Sequence, residues 1–430
     1  MRWLVVAAGL LAACGSRSAE KIERDDDAGA GVVIVRRTTD GVRLDQEVEP
    51  NDEAAAAMLV AVPGGVTGTL NGATDVDRYR VVTQTAGWLY AVVNGVPGVD
   101  LTLELVDADG ESVAHADSGS TNVSEGIPNY PVAPGEYFVV IREFTRKKHK
   151  SRAGESEPYT LTMKWLAEPT DARETEPNAS ADKAKAVIVG GEVQGFLGWR
   201  ADKDTWLIPV EGEQAVDIDV DPVQGVDFKV TVSRGRQVLL VRSGARGQGI
   251  AVRGLLVGQG EEPLLLSITS RRSSFDEAYS IRVVPRELSF DAEAEPNDST
   301  GSATALAVEP GSPAGARKGY LTPGDTDFFA IPVAPARQTL SVSVEPGSPT
   351  LDVAVAIVTE AGDPIAEADA GGKGATEKLD GAGIAANVRT FLRIVRKPSS
   401  KDVDADDVAA TYAVRWSVVG DDVIPRNLLE

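Results

Sequence analysis

Glu47-Val48-Glu49-Pro50-Asn51-Asp52 returns as Glu174-Thr175-Glu176-Pro177-Asn178-Ala179 and again as Glu293-Ala294-Glu295-Pro296-Asn297-Asp298. The three prolines stand roughly 120 residues apart, the size of a small domain and well beyond a solenoid repeat. A second mark follows each copy. Gly68-Thr69-Leu70 leads to Asp75-Val76-Asp77, Gly195-Phe196-Leu197 to Asp202-Lys203-Asp204, and Gly319-Tyr320-Leu321 to Asp325-Thr326-Asp327. Each D-x-D then enters a strand-like run: RYRVV, TWLIPV or FFAIPV. Alternating apolar runs from Leu101 to Val106, Phe228 to Val232 and Leu351 to Val358 fit half-buried strands. A closing hairpin is expected in each copy, pairing Tyr137 to Ile141 with Tyr159 to Met163, Leu264 to Ile268 with Tyr279 to Val283, and Phe391 to Val395 with Tyr412 to Trp416. Many short strands separated by turn residues predict antiparallel β-sandwiches.

Composition narrows the function. The 430 residues carry 43 Lys plus Arg against 65 Asp plus Glu, a formal net charge of -22. Such a surface repels phosphate backbones, so no nucleic-acid partner is expected. Two His and one Cys argue against zinc sites, disulfides, haem ligation and most His-based triads.

That one cysteine sits in a telling place. Arg2 precedes an apolar run from Trp3 to Ala13, which as a helix reaches about 16 Å, short of a bilayer core. The run reads as a signal peptide, and Leu11-Ala12-Ala13-Cys14 resembles a bacterial lipobox whose cysteine is acylated. Cys14 is therefore the expected lipidation site, with acyl chains such as palmitate as the membrane anchor. Gly15 stands where an inner-membrane retention signal resembles Asp, which favours an outer-membrane, lipid-anchored location on the periplasmic face or the cell surface.

Together, E-x-E-P-N-D, the later G-x-L, D-x-D before an aromatic strand, and a closing strand led by tyrosine resemble the bacterial pre-peptidase C-terminal domain. The collagen-binding domains of clostridial collagenases belong to the same jelly-roll group. The resemblance covers roughly residues 46 to 420 as three tandem copies and departs at Ala179 in the second. It implies an all-β chain of three tandem antiparallel jelly-roll-like sandwiches after a flexible lipidated tether. The expected boundaries are signal peptide 1–13, tether 14–45, sandwiches 46–168, 169–287 and 288–421, and tail 422–430. That family usually trails a secreted peptidase, and no stretch here is left for a catalytic domain.

Glu47 and Glu49, two apart in extended chain, point to one side, and Asn51 and Asp52 add oxygens on a turn. Calcium takes six to eight oxygen ligands, which Asp75 and Asp77 could complete. The related collagen-binding domains bind calcium at such an arrangement, which implies structural Ca2+ here. The corresponding sets are Glu174, Glu176, Asn178, Asp202 and Asp204, then Glu293, Glu295, Asn297, Asp298, Asp325 and Asp327. The second set is expected to be the weakest, because Ala179 replaces an acid. The competing reading makes Asn51 or Asp52 an N-cap of a helical-looking stretch from Glu53 to Leu59.

A basic edge runs against the overall charge. The closing hairpins carry Arg142, Arg146, Lys147, Lys148, Lys150 and Arg152, then Arg271 and Arg272, then Arg393, Arg396, Lys397 and Lys401. Arg146, Lys147, Lys148 and Lys150 are the candidate polyanion contact, against a plainer role in keeping strand edges from aggregating. Common catalytic motifs are missing from the sequence, and Gly258-Gln259-Gly260 reads as a turn. His115 and His149 read as surface residues in loops. Trp88, Trp165, Trp206 and Trp416 read as core, and Trp199 as the one candidate ligand contact. The sequence thus predicts a non-catalytic binding or scaffolding module whose partner is an unidentified extracytoplasmic protein or envelope or matrix polymer. Alternatives are a structural spacer, or an accessory module for a separate secreted peptidase; a hydrolase is disfavoured.

Overall fold

The structure, a computed structural model, describes residues 38–39, 42–117, 120–144, 151, 153, 157–166, 172–209, 212–258, 262–307, 309–397 and 409–420. Cys14, His149, Arg146, Lys147, Lys148, Lys150, the signal peptide and the tail lie outside the described residues. Among the described residues no helix is long and apolar enough to cross a membrane.

The fold is all-β, and among the described residues six mostly antiparallel sheets fall into three pairs that share a common strand order, the first extended by Thr38–Thr39 and Val42–Gln46. In the second pair, one sheet runs in the order Lys185–Ala186, Lys203–Ile208, Leu264–Ser270, Phe228–Arg234, Gln237–Ser243. Its companion runs Glu192–Gly195, Tyr279–Arg286, Gln214–Val220, Ile250–Val257. Alternating burial explains the pairing. Val230 and Val232 of one sheet and Ile281 and Val283 of the other turn inward, meeting Trp206 and Phe228 in one apolar cluster. The first and third pairs have their own clusters, around Tyr79, Leu103 and Leu161, and around Phe329, Ile357 and Trp416. Trp206 and Trp416 lie in core clusters and Trp165 packs half-buried against one, as expected, whereas Trp88 is buried out of phase with the core residues Leu89, Ala91 and Val93 of its strand.

Three expectations need correction. The closing arms do not form hairpins: Gly135–Glu143 lies between Val76–Thr83 and Leu101–Asp107, whereas Tyr159–Leu166 lies in the opposite sheet between Gly64–Gly68 and Gly87–Val93. The same separation recurs in the other two copies. Period-two alternation reports which face is buried, not which strand pairs, so an arch between sheets reads like a hairpin. Secondly, part of the expected tether is sheet: Val42–Gln46 pairs in parallel with Gly64–Gly68, and Thr38–Thr39 adds to its edge. Thirdly, the helical-looking stretch is only a 3-10 turn at Ala54–Ala56 whose N-cap, Glu53, makes no side-chain cap bond. Met58–Leu59 instead joins the Val76–Thr83 strand in parallel, a tertiary pairing that overrides alanine's helix preference.

Candidate metal centres at the sandwich seams

Each acidic mark lies where the two sheets of a sandwich meet. Asp77, Asp204 and Asp327 stand on the strands Val76–Thr83, Lys203–Ile208 and Thr326–Ala330 of one sheet. Tyr159, Tyr279 and Tyr412 come from the opposite sheet, and their hydroxyls donate to those aspartates, at 2.6 Å in the second and third copies. Directly across from each tyrosine is the glycine of the second mark: Gly68, Gly195 or Gly319. A Cβ on Gly195 would sit 2.3 Å from Tyr279 Oη and 2.5 Å from Glu174 Oε2, so a side chain there collides with the ring and carboxylate that cross the strand.

The glutamates and asparagine are held identically three times. The first glutamate accepts the N–H after that glycine: Thr69 to Glu47 at 2.8 Å, Phe196 to Glu174 at 2.6 Å, Tyr320 to Glu293 at 2.5 Å. The second accepts the asparagine N–H: Asn51 to Glu49 at 2.9 Å, Asn178 to Glu176 at 3.1 Å, Asn297 to Glu295 at 2.8 Å. The asparagine Nδ2 donates to the first glutamate, and its carbonyl accepts from the D-x-D strand through Arg78, Thr205 or Phe328. The Glu-Pro bond is cis in all three. Asp75, Asp202 and Asp325 close the preceding turn by accepting the N–H of Asn71, Gly198 and Thr322. Those turns hold each first aspartate beside the glutamates.

Among the described residues the structure gathers most of the expected carboxylates into tight groups, and leaves Asp202, Glu293 and Asp298 outside them. Carboxylate oxygens of Glu47, Glu49 and Asp77, of Glu49, Asp52 and Asp75, of Glu174, Glu176 and Asp204, and of Glu295, Asp325 and Asp327 form four groups, each within 4.8 Å. Two buried oxygens in every copy have no hydrogen-bond partner: the asparagine Oδ1 (Asn51, Asn178, Asn297) and the second aspartate Oδ1 (Asp77, Asp204, Asp327). Asn178 is 2% exposed and Asp204 0%. A buried acceptor left unpaired costs about 1–3 kcal/mol, so the same two orphans kept three times fit a site built for a cation. The donor set of carboxylate and carboxamide oxygens, without nitrogen or sulfur, suits a hard ion such as calcium.

Electrostatics differ between copies. At the second site Glu174, Glu176, Asp202 and Asp204 are all buried, and none makes an ion pair among the described residues. Burial, with the charge of Asp202 added, pushes Glu174 up to about 8 and Glu176 up to about 9. Burial pushes Asp202 up to about 7 against three backbone N–H groups, and it holds Asp204 well above the ordinary range. Asp77 at the first site rises to about 8 through burial, with Tyr159 opposing and Glu47 reinforcing. The second site, expected to be weakest, is enclosed as fully as the third and more fully than the first, where Glu49 and Asp52 are exposed. The acid missing at Ala179 is peripheral, since its counterpart Asp52 is exposed and Asp298 only partly buried.

Sequence reasoning missed several residues here. The tyrosines' role was visible only as a recurring strand leader. Asn129 of the first sandwich donates to Glu174 at 2.9 Å, and Arg242 of the second enters the third site. Trp199 is not a free ligand contact: it packs half-buried against the first sandwich's core. His115 is exposed, on the strand Ser112–Ala116 rather than in a loop. Described members of the basic edge have acidic partners, Arg142 with Glu104, Arg271 with Asp227, Arg393 with Glu367 and Lys397 with Asp369, which suits the plainer strand-edge reading.

No protein-family model matches the chain, and no curated protein matches it. Among solved structures it is similar to the pre-peptidase C-terminal domain of collagenase from Bacillus anthracis. That match has 17% identity and a TM-score of 0.21, covering 27% of this chain and 100% of that one. It is also similar to a putative secreted protein from Eubacterium rectale, at 7% identity and a TM-score of 0.19, covering 87% and 82%. A third similarity is to the PBSX exported protein XepA, at 12% identity and a TM-score of 0.18, covering 53% and 86%.

Proposed function

We propose that this chain is a non-catalytic, envelope-anchored scaffold of three tandem β-sandwiches, with structural calcium at the seams of the first two. The observation that carries the metal reading is the pair of orphaned, buried oxygens beside clustered carboxylates that, at the first two seams, meet no cation among the described residues. At the third, by contrast, Arg242 engages Glu295, Asp298 and Asp325. Glu47, Glu49, Asn51, Asp52, Asp75 and Asp77 would hold one ion, and Glu174, Glu176, Asn178, Asp202 and Asp204 the other. Each ion would bind the segment entering a sandwich to both of its sheets, which fixes the joint with the preceding element. Calcium titration of the full chain tests this, with loss of one ion expected in Asp204→Asn. An unchanged ion count in that variant contradicts it.

Anchoring rests on Cys14, the single cysteine, placed directly after a short apolar leader. Cys14→Ser should move the protein from the membrane to the soluble fraction and abolish palmitate labelling; retention and labelling in that variant would refute the anchor. A spacer role is favoured by the joint between the first two sandwiches. Phe275 lies over Gly126, Pro128 against Gly198, and Trp199 on the first core. Such packing holds neighbouring sandwiches at a set separation. Retention on envelope or matrix polymers separates a binder from a spacer.

A further inference from the structure

The third seam already contains a cation. Arg242 lies on Gln237–Ser243, the edge strand of the second sandwich, in phase with the core residue Leu240. Its side chain is 1% exposed. Nη2 lies 2.6 Å from Glu295 Oε1 and 2.6 Å from Asp325 Oδ1, and Nη1 lies 2.8 Å from Asp298 Oδ1. Nη1 also donates to the Val241 carbonyl at 3.2 Å. Glu295 and Asp325 are two of the three carboxylates in the third metal-like group. Among the described residues, Arg242 pairs with Glu295 Oε1, whose counterpart Glu176 Oε1 is unpaired at the second seam, and leaves Asn297 Oδ1 and Asp327 Oδ1 without a partner. The counterparts of Glu295 and Asp325 at the second seam, Glu176 and Asp202, meet no cation among the described residues.

We propose that Arg242 is the resident cation of the third acidic site, taking the place a divalent ion takes at the second, so that the second and third sandwiches are fastened without metal. Three further contacts describe a fixed joint. Glu295 N–H donates to the Gly254 carbonyl at 3.0 Å, and Leu256 N–H donates to the Glu295 carbonyl at 2.8 Å. The residue whose carboxylate grips Arg242 is thereby pinned by its backbone to the strand Ile250–Val257 of the same sandwich. Arg286, at the end of the second sandwich, stacks on Tyr320 of the third with 4.5 Å between guanidinium and ring centre. A guanidinium suits the task because its fork engages several carboxylates in one plane and stays charged when buried. A buried arginine is tolerable only with such partners, so its removal leaves uncompensated carboxylates.

This assignment rests on the calcium reading only for its ion count, and the tests separate the two. Calcium bound per full chain is measured by equilibrium dialysis, and thermal unfolding is followed in chelator. Wild type should hold two ions, and Glu295→Gln should still hold two. Arg242→Met should melt several degrees lower in chelator, take up a third ion, and recover with calcium. A wild-type count of three, or a count lowered by one in Glu295→Gln, overturns the assignment, as does an Arg242→Met variant with wild-type melting and no extra ion. The Glu295→Gln count decides the matter even where Arg242→Met does not fold. A wild type that binds no calcium refutes the metal reading alone. The Arg242 joint is then upheld by a lower melting temperature for Arg242→Met in chelator, and overturned by an unchanged one.

Discussion

Replacing Glu176 by Gln removes one negative charge from the second seam while keeping the side chain's length and an acceptor for the Asn178 N–H. The effect should reverse sign with calcium. In chelator at pH 9.5, ionised Glu176 is buried against the charges of Asp202 and Glu174, which together with burial raise its pKa to about 9. Each pH unit of such a shift is worth at most about 1.4 kcal/mol, and relaxation and solvent entry leave a fraction of it. Gln should therefore stabilise the chelated protein by about 1–3 kcal/mol, a rise on the order of 5 °C. In calcium at a hundredfold excess over Kd, the ion contributes about 2.7 kcal/mol to wild type, and the variant, lacking a ligand, loses most of it. Thermal melts of both proteins in both buffers, followed by circular dichroism, give the four numbers. Equal destabilisation by Gln in chelator and in calcium would show that Glu176 acts as a hydrogen-bonding group and not as a charge.

Tyr279→Phe leaves Asp204 Oδ2 without its donor and Trp206 Nε1 without its acceptor, 3.0 Å away in wild type. Urea unfolding should show a loss of about 2 kcal/mol or more, and a loss under 0.5 kcal/mol would contradict the seam geometry. Gly195→Ala forces a Cβ to 2.3 Å from Tyr279 Oη and should cost about 1–3 kcal/mol in the same assay. Gly72→Ala, with nothing within 4 Å, should be near neutral, so equal effects of the two substitutions would sink that argument. For pH, carboxyls raised above their unfolded values bind more protons folded than unfolded, so their stabilisation is full in acid and is lost as pH rises through the folded pKa. In chelator the melting temperature should fall between pH 5 and pH 9, the window set by Asp202 at about 7, Glu174 at about 8 and Glu176 at about 9. Calcium, which binds the deprotonated site, should flatten that fall; a rise with pH in chelator would contradict the assigned burial.

The repeats made the fold class and the seam residues legible, because E-x-E-P-N and D-x-D are short local patterns kept at one spacing while neighbours vary. Burial phase was legible too, as Val230 and Val232 show. Pairing partners were not. Tyr137 to Ile141 and Tyr159 to Met163 alternate like hairpin arms, yet their strands lie in opposite sheets, since alternation carries no information about the partner. The strand Val42–Gln46 was hidden because its partner is parallel and distant in sequence. What differs between the sites comes from neighbouring sandwiches. Asn129 against Glu174, and Arg242 among Glu295, Asp298 and Asp325, depend on how one sandwich meets the next, which no local pattern records. One trace of Arg242 was present: in QVLLVRS it occupies the buried phase with Leu240, where a charge requires partners.

Thermal unfolding of the full chain in millimolar calcium and in chelator is the sharpest test of whether the first two acidic marks bind ions. The melting temperature should be several degrees higher in calcium, with that difference reduced in Asp204→Asn and reduced again when Asp77→Asn is added. Superimposable curves for wild type in the two buffers would contradict ion binding at those marks.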